Sequence, residues 1–208
     1  MGEAMTIPLS TGKRAQSKAA NRQCILEAAR SVFARIGYEA TTVRDIIRET
    51  NLAAGTFYNY FKSKEEVFEA ISDESAARFR PLLKDVRARA DGFEEFICGA
   101  YRAYFQFLAD ENAEALDKGA PHVALIGVRV DTPEMQAVFE EIRMDIERMI
   151  DPDEAPQLDS EYLTAAAIGI ARELGDHMLA RSPVDVEMAT TFASSLLIAG
   201  LKGLPDPS

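Results

Sequence analysis

Cysteine and histidine are scarce in this sequence, and their scarcity excludes several classes of site. The 208 residues contain two cysteines, Cys24 and Cys98, and two histidines, His122 and His177. Neither the CxxC nor the HExxH spacing of common metal sites occurs, so we expect no metal and no other cofactor. The cysteines lie far apart on predicted helices. A disulfide or a redox sensor is one interpretation, but small core side chains are the simpler one.

Long apolar runs are also missing. No apolar segment of the kind found in signal peptides follows Met1. The most apolar stretch, 192–201, contains two serines and is shorter than the roughly 20 residues of a membrane span. We find no phosphate-binding loop, activated nucleophile or recognisable pair of catalytic carboxylates. These absences predict a cytoplasmic protein that is not an enzyme.

Acidic residues are few in the first third of the chain, although the net charge is −11. Residues 1–64 hold ten Lys and Arg against five Asp and Glu, a balance of +5, so the remaining residues carry −16. A basic N-terminal segment can bind phosphates while the acidic remainder of the chain is repelled by them. The net negative charge by itself argues against a nucleic-acid partner, but the basic N-terminal third allows one.

Helical periodicity runs through the whole chain, and we see no strand-like alternation, repeat or low-complexity segment. Apolar residues at 25, 29, 32 and 36 follow the spacing of a buried helical stripe, and Gly37 ends it in the manner of a helix C-cap. We predict an all-α fold with helices over 17–36, 42–50, 54–60, 63–80, 91–110, 111–118, 133–150, 160–181 and 184–202. Pro81 is expected to end or kink the fourth helix.

Two short helices joined by a tight turn follow the first long helix, as in a helix-turn-helix. Thr42 and Asp45 have the spacing of a capping box that opens one of them, and Ser63 and Glu66 repeat this spacing at the next helix. Asn51 is expected to make the turn, because Asn tolerates a left-handed backbone.

The second short helix has the side chains that a major-groove helix needs. Phe57 and Phe61, four residues apart, are predicted to anchor it to the core. Its outer face offers Gly55, Thr56, Tyr58 and Asn59 to the bases. Side chains suited to phosphate contacts lie nearby: Arg44, Tyr60, Lys62 and Lys64.

The run GTFYNYFKSKEE at 55–66, with FARIGY at 33–38 and TTVRDI at 41–46, resembles the N-terminal domain of TetR/AcrR-type repressors. The resemblance covers about 20–68. It implies a homodimer of nine-helix subunits, a divergent C-terminal ligand domain and release of DNA when a ligand binds. It also implies a set of DNA-facing positions: Thr42, Arg44, Ala54, Gly55, Thr56, Tyr58, Asn59, Tyr60 and Lys64.

Two positions depart from the family pattern. Ala53 and Ala54 stand where the family often has Ser or Thr and a polar or basic residue. Ala53 therefore gives no side-chain N-cap, and Ala54 can touch a thymine methyl but cannot hydrogen-bond a base. The resulting organisation is a disordered basic tail over 1–16, a helix-turn-helix DNA-binding domain over 17–64 and a helical ligand-binding and dimerisation domain over 65–208.

The C-terminal domain is expected to bind a small apolar or aromatic effector. Candidate wall residues are Phe96, Tyr101, Tyr104, Phe105, Leu108, Met135, Phe139 and Ile142, and candidate polar groups are Arg102, His122, Arg129 and His177. Arg172-Glu173 and Asp176-His177 are interpreted as an exposed helix face.

A palindromic DNA operator read by two recognition helices requires a dimer. The last two helices are predicted to supply the contact through two stripes, residues 163, 167, 170, 174 and 178 and residues 189, 192, 196, 199 and 200.

Three functions remain open from the sequence. The first is a ligand-responsive repressor that ligand binding shifts to a conformation unfit for its operator. The second is a DNA-binding regulator without a small-molecule ligand, acting as an activator or under control of a partner. The third, an enzyme, has no supporting motif. No membrane partner is expected.

Overall fold

The computed structural model describes residues 10–117, 132–150 and 158–204. These ranges contain eight helices and no strand, so the all-α prediction is confirmed. The helices are α1 (Ser10–Ile36), α2 (Val43–Glu49), α3 (Ala54–Tyr58), α4 (Lys64–Arg89), α5 (Phe93–Asp117), α6 (Pro133–Met149), α7 (Ser160–Leu179) and α8 (Val186–Lys202). The chain divides into two compact units between Ile71 and Ser72, inside α4.

Helix α1 begins at Ser10, whereas a disordered tail was predicted over 1–16. The residues from 13 to 20 are mostly good helix formers, and the exposed first turns need no packing to follow a helix that is anchored further along. The helix ends at Gly37 as predicted. Gly37 has φ 86°, a left-handed backbone that favours glycine, and its N–H donates to the Phe33 carbonyl at 2.9 Å.

The first unit buries one face of each of its helices around an aromatic cluster. Phe33 packs against Tyr38 and Phe68, with ring centroids 5.4 and 5.9 Å apart. Ile46 of α2 and Phe57 of α3 are also buried. Because Phe68 belongs to the first turns of α4, this unit extends beyond the boundary predicted at residue 64.

The second unit packs α5 against α7 and α8, and α6 against α7. Its core contains Leu83, Phe96, Phe105, Ile146 and Leu179, all almost fully buried. Arg87 on α4 binds the buried carboxylate of Asp145 on α6 at 2.5 Å. This ion pair links the two helices within the second unit.

Two helix ends differ from the predictions. Helix α4 continues through Pro81 to Arg89, because Ala76 before the proline and Leu83 after it are both held in the core. Helix α5 runs without a break to Asp117, so the helices predicted over 91–110 and 111–118 are one. Asn112 lies where they were separated, and its side-chain amide donates to the Leu108 carbonyl at 2.8 Å within the helix.

Both cysteines are free and half-buried, which agrees with their interpretation as small packing side chains. The described residues include no group of three or more His, Cys, Asp or Glu side chains placed to hold a metal ion. Within the same ranges, no helix is long and apolar enough to cross a membrane.

Candidate nucleic-acid interface

Helix α2 is opened by the predicted capping box between Thr42 and Asp45. The Asp45 N–H donates to Thr42 Oγ1 at 3.3 Å, and the Thr42 N–H donates to Asp45 Oδ2 at 3.0 Å. The Thr42 hydroxyl also donates to Asp45 Oδ2 at 2.5 Å. This bond, followed by the bond from the Thr42 N–H, holds the pKa of the Asp45 carboxyl below its ordinary value. The capping box fixes the start of α2. Arg44, the second residue of this helix, is exposed.

The turn between α2 and α3 is made by Thr50 and not by Asn51. The Thr50 hydroxyl donates to the Ile47 carbonyl at 2.8 Å and accepts from the Leu52 N–H at 3.2 Å. Asn51 does not take up a left-handed backbone, so that part of the prediction is wrong. A hydroxyl that closes the turn through side-chain hydrogen bonds removes the need for a positive φ.

Helix α3 is anchored by the two phenylalanines that the sequence pattern assigned to the core. Phe57 is 1% exposed and Phe61 5% exposed, with ring centroids 6.2 Å apart. Ala53 makes no side-chain cap, as predicted. A five-residue helix without a side-chain cap depends on packing for its stability, so these two rings hold α3 in place.

The opposite side of α3 faces solvent. Tyr58 is 57% exposed, and Ala54, Gly55 and Asn59 are also exposed, whereas Thr56 and Tyr60 are half-buried. Addition of a Cβ at Gly55 would meet no atom within 4 Å. Of the predicted base-reading residues, Gly55, Tyr58 and Asn59 are thus accessible and Thr56 only partly so, and their contacts with DNA stay predictions.

Lys64 is held by hydrogen bonds to the backbone, whereas Lys62 is exposed to solvent. Lys64 Nζ donates to the carbonyls of Tyr38 at 2.8 Å and Glu39 at 3.2 Å, and it lies 4.5 Å from the centroid of the Tyr38 ring. A phosphate contact from Lys64 would compete with these bonds. Lys62 is almost fully exposed, with its ammonium 4.0 Å from Glu66.

The second predicted capping box is only half formed. The Glu66 N–H donates to Ser63 Oγ at 3.3 Å, but the Glu66 carboxylate accepts from the Lys62 N–H at 2.8 Å instead of the Ser63 N–H. The carboxylate therefore fixes the segment that joins α3 to α4.

Several contacts between residues far apart in sequence support this unit, and the sequence did not predict them. Tyr38 donates to the Glu65 carboxylate at 3.3 Å, and burial followed by the Glu65 charge raises the pKa of Tyr38 to about 12. Arg35 of α1 binds Glu49 of α2 at 2.9 Å. The Arg22 guanidinium lies 5.6 Å from the centroid of the Phe61 ring. These residues are far apart in sequence, so no local pattern pairs them.

In the second unit, most of the predicted effector residues lie in or against the core. Phe96, Tyr101, Phe105 and Leu108 are buried, and Tyr104, Met135 and Ile142 are partly buried against the same cluster. Phe139 is half-buried. The rings of Tyr101 and Phe105 are stacked with centroids 5.9 Å apart. The Tyr101 hydroxyl donates to the Ala167 carbonyl at 3.2 Å, which ties α5 to α7.

The structure does not bring the predicted polar groups together with this cluster. Arg102 is exposed and binds Glu187 on α8 at 2.6 Å, and His177 is exposed on α7. His122 and Arg129 lie outside the described residues.

A different polar group, Asp176 on α7, lies near the α5 aromatic residue Tyr104. Asp176 has a buried Oδ1 with no hydrogen-bond partner in the described part of the chain. Burial, followed by the nearby Glu173 charge, raises the pKa of Asp176, while His177 and Arg172 act in the opposite direction. The interpretation of 172–177 as an exposed face is therefore wrong for Asp176 and for Arg172, whose guanidinium lies 5.9 Å from the Phe139 ring centroid.

Helices α7 and α8 also carry a surface of exposed apolar side chains. Tyr162 is 78% exposed and Phe192 56% exposed, and Met188 and Leu196 are more than half exposed. The α8 stripe predicted for dimer contact is thus largely accessible. The α7 stripe is not: Leu163, Ala167 and Met178 are buried in the core of their own subunit, and the small residues Ala165 and Ala166 face outward instead.

In the first unit, the short helices α2 and α3 are joined by a tight turn, and α3 is anchored by a buried aromatic pair, an arrangement typical of a helix-turn-helix DNA-binding protein. Residues 25–71 match the family model described as bacterial regulatory proteins, tetR family. The HTH-type transcriptional regulator TcmR of Streptomyces glaucescens is 28% identical over 200 residues, which cover 91% of this chain and 87% of that protein.

Solved structures share the fold over most of the chain. A TetR-family transcriptional regulator from Syntrophomonas wolfei has a TM-score of 0.68 at 19% identity, covering 91% of this chain and 99% of its own. The regulator FadR from Bacillus subtilis, solved with stearoyl-CoA, has a TM-score of 0.60 at 21% identity, covering 86% and 98%. The chain is thus similar to TetR-family transcription regulators, in its helix-turn-helix segment by sequence and over most of its length by fold.

Proposed function

We propose that this chain is a repressor that binds a palindromic operator as a homodimer and releases it when a small effector binds. The observation that carries the proposal is the exposed surface of α3, which rests on Phe57 and Phe61 and presents Tyr58 and Asn59 to solvent. We assign base reading to Thr56 and Asn59 and phosphate contacts to the tyrosines and basic side chains around them: Arg44, Tyr58, Tyr60, Lys62 and Lys64. Thr42, Ala54 and Gly55 complete the DNA-facing set.

The test of DNA recognition is a comparison of two duplexes of equal length. One contains the region upstream of the chain's own gene, and the other is a scrambled version of it. Fluorescence anisotropy at moderate salt should show preference for the upstream duplex, because specific binding exceeds nonspecific binding by several orders of magnitude. Equal affinity for both duplexes would contradict the proposal that the chain recognises an operator in this upstream region.

The homodimer is proposed to form through α7 and α8. A charge placed among the exposed apolar side chains should prevent its burial, so Phe192→Glu is expected to give a monomer in sedimentation velocity. Met144→Glu is a matched control, because Met144 is also an exposed large apolar residue but lies on α6. A dimer that persists in Phe192→Glu would rule out this interface.

We place the effector site in the second unit, beside the aromatic cluster of α5 and the polar residues of α7. A Cβ at Gly175 would lie 2.6 Å from Leu108 and 3.5 Å from Tyr104, so α7 packs closely on α5 immediately before Asp176. The Asp176 carboxylate suits an effector that joins an apolar body to an N–H or O–H donor. The complex of FadR with stearoyl-CoA supports an apolar ligand in this fold.

Thermal melts against pools of metabolites would test the effector proposal. A ligand that binds the folded state raises the midpoint, by an amount that grows with its concentration relative to Kd. The same ligand should release the upstream duplex. If the melts respond to none of the pools while DNA binding is intact, the result would favour a regulator without a small-molecule ligand.

A further inference from the structure

We propose that Arg14, Lys18 and Arg22 form a basic stripe on the first turns of α1 that binds DNA phosphates beyond the bases read by α3. The inference rests on the proposed DNA-binding function and adds a contact surface to it. All three residues precede residue 25, where the match to the family model begins, and Arg14 and Lys18 also precede the segment that resembles the family's N-terminal domain.

The spacing of the three residues places them on one face of the helix. They stand at i, i+4 and i+8, and α1 is helical from Ser10 onward. Eight residues at 1.5 Å each separate Arg14 from Arg22 by about 12 Å along the axis. Duplex DNA carries one charge per about 1.7 Å of its axis, so a stripe of this length can reach several phosphates.

The segment that carries the stripe is exposed and basic. Residues 14–20 are all exposed, and the buried part of α1 begins at Ile25. The sequence has no acidic residue from 4 to 26, and Glu27, the first to follow, accepts a hydrogen bond from Gln23 at 3.2 Å. A helix face that is merely solvated normally mixes charges of both signs. A long exposed face with a single sign suits a polyanionic partner.

The contact between Arg22 and Phe61 locates the stripe within the first unit. The Arg22 guanidinium lies over the ring of Phe61, the buried aromatic residue that follows the recognition helix α3. The stripe therefore starts beside α3 and the exposed Lys62, and it continues toward the N-terminal end of α1. A duplex that contacts Tyr58 and Lys62 would bring its flanking phosphates near the start of this stripe.

The test is the salt dependence of DNA binding by the full chain carrying Arg14→Ala and Lys18→Ala. Alanine preserves helix propensity, and Arg22 is left in place because it packs on Phe61. Loss of two phosphate contacts should reduce the slope of log K against log salt by about 1.8. The ratio of wild-type to variant affinity should accordingly grow by about 12-fold when salt falls from about 200 to about 50 mM.

The matched control is Lys84→Ala with Arg89→Ala, which removes the same two charges from exposed positions on α4 in the second unit. This control should keep the wild-type slope. Arg14→Lys alone should also keep it, because the slope counts the phosphates that a positive charge neutralises, and lysine keeps that charge.

Binding is measured on the upstream duplex and on a scrambled duplex, since phosphate contacts do not depend on sequence. An unchanged slope in the double variant, or an equal fall in the control, would overturn the stripe while leaving the DNA-binding function intact. Failure of the wild-type chain to bind either duplex would overturn both proposals.

Discussion

Phe57 is buried and Tyr58, the next residue of α3, is largely exposed, so their replacement should separate stability from DNA binding. Phe57 is 1% exposed and its ring lies 5.4 Å from Tyr58 and 6.2 Å from Phe61. Phe57→Ala leaves a cavity under a short helix without a side-chain cap. Truncation of a core phenylalanine costs about 3–5 kcal/mol, which is a large share of the roughly 5–15 kcal/mol that stabilises a typical domain.

Tyr58→Ala should have the opposite profile. Its ring is 57% exposed, so the loss of stability should stay within about 0.5 kcal/mol. A hydroxyl that donates to a phosphate contributes about 1.5–3 kcal/mol, so binding of the upstream duplex should weaken by roughly 10- to 150-fold. Tyr58→Phe keeps the ring and isolates the contribution of the hydroxyl.

The assay must resolve the first unit from the second. Urea unfolding followed by far-ultraviolet circular dichroism gives the overall transition, and amide hydrogen exchange of α2 and α3 reports the first unit alone. Phe57→Ala should lose protection in these helices, and Tyr58→Ala should keep it. If Phe57→Ala were as stable as the wild type, or Tyr58→Ala unfolded the first unit, the two faces of α3 would be assigned wrongly.

Three further substitutions test the supporting structure. Asp145→Ala should destabilise the second unit by about 1–3 kcal/mol in urea unfolding, because it leaves the partly buried Arg87 charge with only the more distant Glu141 carboxylate; an unchanged midpoint would refute this role. Thr42→Ala should cost about 1 kcal/mol by removing the capping box with Asp45, and Thr42→Ser should restore most of it. Asp176→Asn should raise the melting midpoint at pH 7. Burial raises the folded pKa of Asp176 above its unfolded value, so the stability it contributes is present at acid pH and is lost as pH rises through the folded pKa. An unchanged pH dependence in Asp176→Asn would contradict this assignment.

Features that depend on a few neighbouring residues could be predicted from the sequence. The capping box of Thr42 and Asp45, the glycine end of α1 and the uncapped start of α3 all agree with the structure. Each rests on hydrogen bonds or backbone preferences within about four residues, and these are encoded locally. The periodicity of apolar residues likewise separated the buried Phe57 and Phe61 from the exposed Tyr58.

Local patterns failed where packing outweighed them. Pro81 signals a helix end, but burial of Leu83 on its far side keeps α4 continuous to Arg89. Asn51 signals a left-handed turn, but the hydroxyl of Thr50 closes that turn in another way. In both cases a contact that is stronger than the local preference decided the backbone.

The sequence by itself determined the helical class, the buried and exposed residues of α3 and the likeness to TetR-type helix-turn-helix domains, because these follow from periodicity and from a compact run of motif residues. Only the tertiary structure decided which side of α7 is buried, that Lys64 binds the carbonyls of Tyr38 and Glu39, and that Asp176 lies beside the aromatic cluster. The physical reason is the range of the interactions. An amphipathic pattern shows that a helix has an apolar face, but the neighbours that cover this face come from distant parts of the chain.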